Sequence, residues 1–163
     1  MSELRTTPGG YDRLYQLLSD ARERFYDVCH DNEDANGSGD SSVWHDNFAY
    51  EENQRQMQSL STKVIKLEIL LGNMSIDSIP IILPEKVILG SVVNILMNEQ
   101  PRSFFICGHQ DGDIKHQRIS YDSPLGQILT GLEVGDDVIV RLGSRTVEIE
   151  VLSIEISNNP EHN

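Results

Sequence analysis

Residues 27–52 read DVCHDNEDANGSGDSSVWHDNFAYEE, a stretch holding Asp27, Asp31, Glu33, Asp34, Asp40, Asp46, Glu51 and Glu52 and neither Lys nor Arg. It lies between two segments with helical spacing. Upstream, Leu14, Leu18, Ala21, Phe25 and Val28 recur at alternating steps of four and three; downstream, Met57, Leu60, Val64, Leu67 and Leu71 do the same. That is the a/d spacing of a coiled-coil seam. Two short seams joined by a turn can be buried only against each other or a partner, so an antiparallel helical hairpin is predicted, with the acidic stretch at its far end.

Pro8-Gly9-Gly10 reads as a breaker before a first helix that begins near Tyr11 and runs at least to Val28, ending by Asn36-Gly37-Ser38-Gly39. The second helix can start at Ser41 or Ser42, either a suitable N-cap. Its register puts Asp46 on the inner seam, where a carboxylate opposes packing, and Asn32 and Asn53 can face each other and fix alignment. Taken alone, the acids also fit a solvated connector. Trp44, Phe48 and Tyr50 fit either packing at the hairpin end or an aromatic anchor for a partner's groove.

Near Gly72-Asn73 the pattern changes from helical spacing to β-branched runs, so the 163 residues are expected to form two domains, 1–74 and 75–163. Pro80 and Pro84 precede strand-like Val87, Leu89, Val93, Ile95 and Met97, with Gly90 expected at a bulge. Arg102–Cys107 is a strand candidate, followed by a polar loop, residues 108–113, expected to be exposed. Ser123-Pro124 has the signature of a helix start, and Leu125, Ile128, Leu129 and Leu132 give that helix one apolar face; Gly131 or Gly135 closes it. Asp137–Leu142, a Gly143-Ser144 turn and Arg145–Ile156 read as a hairpin. The fold class is therefore α+β: an N-terminal antiparallel α-helical coiled-coil hairpin, then a small antiparallel sheet with one short helix.

A net charge of −13 disfavours a direct grip on nucleic acid, which draws on Lys and Arg; nucleic acid is reached only indirectly, and a basic groove or a metal ion is the better counterpart. Cys29 and Cys107 build no disulfide framework and are expected to be reduced. The five histidines, His30, His45, His109, His116 and His162, lack metal-ligand spacing. Cys107 with His109 is a poor nucleophile–base pair, because nothing orients it. No apolar run has membrane-spanning length and the N-terminus lacks an export signal, so a cytoplasmic setting with no membrane is expected.

The run from Ile119 to Asp137, ISYDSPLGQILTGLEVGDD, resembles the signature of the GreA/GreB transcript cleavage factors, I-S-x-x-S-P-[IL]-x-x-x-L-x-G-x-x-x-G-D. The resemblance implies an FKBP-like C-terminal fold and a monomeric transcription elongation regulator that binds RNA polymerase. The coiled coil would enter the secondary channel, and its tip acids would approach the polymerase's magnesium. No cofactor of its own is implied, and the chain is expected not to be an enzyme.

The start of the family's tip motif, G-D-[LI]-x-E-N-x-[ED]-Y, is matched at Gly39-Asp40, and its end is resembled at Asp46-Asn47-Phe48-Ala49-Tyr50, where Asn47 and Tyr50 match, Asp46 stands at the glutamate position and Ala49 at the second acid, with Val43-Trp44-His45 intervening. Asp40 and Asp46 are the implied magnesium-directed acids, set farther apart than in the family. Trp44, Phe48, Tyr50, Ser123 and Pro124 are the implied polymerase contacts. The altered spacing implies weakened or absent cleavage stimulation, leaving a channel-occupying inhibitor as an alternative. A prolyl isomerase with a coiled-coil appendage, for which only Phe104, Phe105 and Tyr121 could line a proline pocket, and a plain coiled-coil interaction protein are the readings from other classes.

Overall fold

Helical periodicity and helix-start chemistry act together at the beginning of the chain. The computed structural model describes residues 4–37 and 46–157, with 31–37 and 46–49 described by their backbone alone. The elements run β1 (Leu4–Thr6), α1 (Pro8–Gly37), α2 (Asp46–Gly72), β2 (Met74–Ile76), β3 (Ser91–Met97), β4 (Gln100–Cys107), a 3-10 turn (Ile114–His116), β5 (Arg118–Ser120), α3 (Pro124–Leu129), β6 (Asp137–Leu142) and β7 (Arg145–Ile156). They form two compact units, Leu14–Asn73 and Met1–Arg13 with Met74–Asn163.

Within the helical unit, the seam positions are those shielded from water. Leu14, Leu18, Ala21, Leu67 and Leu71 are buried, and Phe25, Val28, Met57, Leu60 and Val64 are half-buried. Arg22 Nη2 lies 2.6 Å from Glu68 Oε1, a tie across the two helices that only an antiparallel arrangement permits with so short a connection.

Residues 8–10 do not break the helix. Pro8 stands at the first helical position, where its missing N–H is no loss. Thr7 caps the helix, its Oγ1 accepting from Gly10 N at 3.2 Å. The polar segment before it forms β1, parallel to β2, with Leu4 opposite Met74 and Thr6 opposite Ile76.

In the second unit, five strands pair in the order β5-β4-β3-β7-β6. All pairings in that sheet are antiparallel except β4 with β5, which run parallel. Val87, Val93, Ile95, Ile106, Leu129, Val147, Ile149, Val151 and Ile154 form one core. α3 closes it: Leu129 is fully buried, and Leu125 and Ile128 pack beside it.

The bulge lies elsewhere than at Gly90. Asn94 pairs with Ser153 and Ile95 with Val151, so Leu152 is the extra residue, and the buried positions shift from odd (Val147, Ile149, Val151) to even (Ile154). Gly90 instead takes φ +85° in a turn, where an added Cβ would stand 3.0 Å from Pro80 Cδ.

Candidate functional site: the hairpin end and the Ser123 corner

Two regions hold the residues singled out by sequence. The first is the end of the hairpin. α1 extends to Gly37, so Asp31, Glu33 and Asp34 lie on helical backbone, and α2 begins at Asp46. At ~1.5 Å per residue the span from Leu14 to Gly37 is about 35 Å long, so the acids gather far from the buried Leu14 and Leu71.

Asp40 and Trp44 lie outside the described residues, and Asp46 and Phe48 occupy the first turn of α2. An acid there is favoured by the positive end of the helix dipole. Tyr50 is exposed, and its Oη meets Gln54 Nε2 at 3.3 Å. Glu51 and Glu52 are exposed too, and Glu52 accepts a hydrogen bond from Gln56 Nε2 at 3.2 Å.

The second region is the corner where β5 passes into α3. Ser123 is the N-cap of α3, with Oγ accepting from Gly126 N at 3.1 Å, and Pro124 follows in the first turn, exposed. Gly126 is demanded by contact, since a Cβ there would lie 2.0 Å from the Ser120 carbonyl oxygen.

Asp122 is the hub of this corner. His109 Nδ1 and Ser120 Oγ both bond its carboxylate, and Gln127 Nε2 donates to its backbone oxygen at 2.9 Å. Burial acts to raise the Asp122 carboxyl, but the hydrogen bonds from Ser120 and His109 outweigh it and hold the group below its ordinary value. Ser, His and Asp together invite comparison with a hydrolytic triad, yet here the carboxylate sits between the other two. Ser120 Oγ reaches Gly108 O at 2.8 Å as well as Asp122. With the histidine on the carboxylate rather than on the serine, this network positions the corner and does not activate a nucleophile.

The loop 108–113 is only in part the exposed loop that its polarity predicts: Gln110 and Gly112 are exposed, but Gly108 and Asp111 are buried. Gly108 is buried against β1, where a Cβ would come within 2.5 Å of Thr6 Cα. Asp111 is 6% exposed. Arg13 grips Asp111 with both arms of its guanidinium, Nε to Oδ1 at 2.7 Å and Nη2 to Oδ2 at 2.6 Å, while Arg118 Nε lies 3.9 Å from Oδ1. A polar loop can be internal when each of its charges has a partner, and the partner here comes from 98 residues earlier.

Cys107 is buried, and burial, then the charge of Asp111, pushes its thiol up to about 12, so it stays protonated and unreactive. Among the described residues, no group of three or more His, Cys, Asp or Glu side chains could hold a metal ion. Among those same residues, no helix is long and apolar enough to cross a membrane.

Comparison with known proteins agrees with the corner motif. Residues 83–156 match the family model described as transcription elongation factor, GreA/GreB, C-term. The transcription elongation factor GreA of Thermotoga petrophila is 30% identical over 159 residues, covering 94% of this chain and 98% of that one. GreA of Thermotoga neapolitana is 31% identical, covering 97% and 99%. Thermus aquaticus Gfh1, a solved crystal structure, aligns at a TM-score of 0.44 and 23% identity over 95% of this chain and 99% of that one.

The chain belongs to the GreA/GreB family of transcription elongation factors. Factors of this family bind RNA polymerase and carry no cofactor of their own. Membership also corrects the expectation that the chain is not an enzyme. Its relatives are GreA factors, which stimulate RNA cleavage by RNA polymerase, so the family's place in catalysis lies in the polymerase's reaction.

Asp122, His109, Asp111 and Arg13 were missed by sequence reasoning. Ser120 and Asp122, two residues apart where a strand ends, carry a faint signal because such side chains share a side. His109 and Arg13 carry none, since only folding brings them near.

Proposed function

We propose that the chain is an RNA polymerase-binding elongation regulator that acts as a single copy, placing the acidic end of its hairpin in the secondary channel. The observation that carries the reading is the hairpin itself, a long antiparallel helix pair that delivers an acidic segment to its far end. It is joined in one chain to a unit matching the family's C-terminal model. In this reading Asp40 and Asp46 supply carboxylate oxygens, hard ligands suited to magnesium, and the polymerase's ion supplies the acidity that activates water. Trp44, Phe48 and Tyr50 contact the channel, and Ser123 and Pro124 contact its rim.

Asp40 and Asp46 are six residues apart with Val43-Trp44-His45 between them, so the two carboxylates meet one ion less readily than adjacent tip acids. Polymerase binding should therefore be retained while transcript cleavage is stimulated weakly. The test is a cleavage assay on backtracked complexes, run beside co-purification with core polymerase at low salt, where an acidic protein docks best on a basic groove. Replacing Asp40→Asn and Asp46→Asn together should abolish the residual stimulation and leave binding intact. Robust cleavage that survives the double substitution would transfer the role to Asp31, Glu33 and Asp34, and absence of any complex would overturn the reading.

A further inference from the structure

β6 is an edge strand: it pairs with β7 on one side, and among the described residues no strand pairs its other side. A free edge of this kind presents unused N–H and C=O groups to any strand that fits. The turn after β6 shows which groups those are. Gly143 and Ser144 make a two-residue hairpin loop with Gly143 at φ +63°, the place glycine takes in a II′ turn. In such a hairpin the flanking residues Leu142 and Arg145 exchange both backbone bonds. Alternation then turns the N–H and C=O of Asp137, Ile139 and Arg141 away from β7, toward the open edge.

The same three residues carry the exposed side chains of the strand, whereas Val138, Val140 and Leu142 pack inward. Ile139 is 71% exposed, an uncommon amount for isoleucine at the centre of a strand. Behind them, β7 places Glu150 opposite Asp137 and Glu148 opposite Ile139. Like charges directly across a ladder repel, and among the described residues no ion pair relieves Asp137, Glu148 or Glu150. The cation of this face is Arg141, whose Nε donates to Gly143 O at 3.3 Å.

We infer that β6 pairs antiparallel with β6 of a second copy about a two-fold axis through Ile139. In that register Ile139 faces its own counterpart, Asp137 faces Arg141 of the other copy, and Arg141 faces Asp137. All three pairs are of the closely spaced, bond-exchanging kind. The strand is thus self-complementary in charge, in apolar contact and in backbone direction, and each imported Arg141 lands beside the unrelieved acids. One strand edge buries less than the ~1,200 Å² of a standard interface, so the association is weak. It concerns the free chain and stands apart from the polymerase reading.

The experiment is sedimentation velocity on the full chain over a wide concentration range at low salt, with circular dichroism confirming that each exposed-site variant is folded. The wild type should shift toward twice the monomer mass as concentration rises. Asp137→Arg alone and Arg141→Asp alone should each lose that shift. Loss in Asp137→Arg is the sharper of the two, because it reduces a net negative charge that otherwise opposes association. An equimolar mixture of the two single variants should regain the shift: across a mixed pair the introduced arginine meets the introduced aspartate, and the native Arg141 of one copy meets the native Asp137 of the other. A wild type that stays monomeric throughout, single variants that still associate, or a mixture that fails to recover would each overturn the proposal.

Discussion

The two units solve the same burial problem with different elements. In the sheet unit a short helix packs on the core of a five-stranded sheet, and Val87, Val93, Ile95, Ile106, Leu129 and Ile149 are sealed at 0% exposure. In the hairpin the buried surface is a seam along two helices. Leu14, Leu18 and Ala21 are buried, but Phe25, Val28, Met57, Leu60 and Val64 are half-buried, so burial falls off toward the acidic end. A thin element of this kind keeps its shape through a narrow seam and leaves its outer surface to charge. That suits a projection, whereas the sheet unit can bury ion pairs and hold a corner rigidly.

The contrast can be broken by equal cuts in the two places. Leu129→Ala opens a cavity where nothing can collapse into it, and should cost about 4 kcal/mol in urea unfolding. Asp111→Asn keeps the shape but leaves Arg13 and Arg118 facing a neutral group in a buried setting; about 3 kcal/mol is expected in the same measurement. A cost near zero would show that the anchor is decorative. Val64→Ala on the half-buried seam should cost about 1 kcal/mol, and a loss matching that at Leu129 would erase the distinction drawn between the units.

The smallest expected effect is one of pH. Asp122 has a folded pKa below its ordinary value of 3.8, so its contribution to stability is present above the ordinary value and fades as pH falls through the folded one. The gap in thermal midpoint between wild type and Asp122→Asn should hold steady from neutral pH down to about 4 and narrow below it. A gap that narrowed near neutrality would place the controlling proton on a different group.

Much of this was legible in advance, for a definite reason. The ten seam residues, the Ser123-Pro124 helix start and the β6–β7 hairpin with its Gly143-Ser144 turn all express local rules, in which neighbours a few residues apart set the periodicity, the cap or the turn. Failures came where a local rule was overridden from afar. Residues 4–6 carry no strand periodicity of their own but form a strand, because Met74–Ile76 offers them a parallel edge. Residues 108–113 look like an exposed loop, yet Asp111 is held inside by Arg13 and Gly108 by the approach of β1.

By itself, then, the sequence determined the class of the protein: two seams, an acidic segment between them, and a C-terminal motif whose spacing of serine, proline and glycines follows from a cap, a helix and its stop. Only the tertiary structure decided that the N-terminal strand joins the sheet unit, that Leu152 is the residue bulged out of β7, and that Asp122 rather than Ser123 is the hub of the corner. The physical reason is range. A cap or a seam is written in residues that are already neighbours along the chain, while an ion pair or a glycine contact between segments about a hundred residues apart exists only after loop closure has been offset by burial.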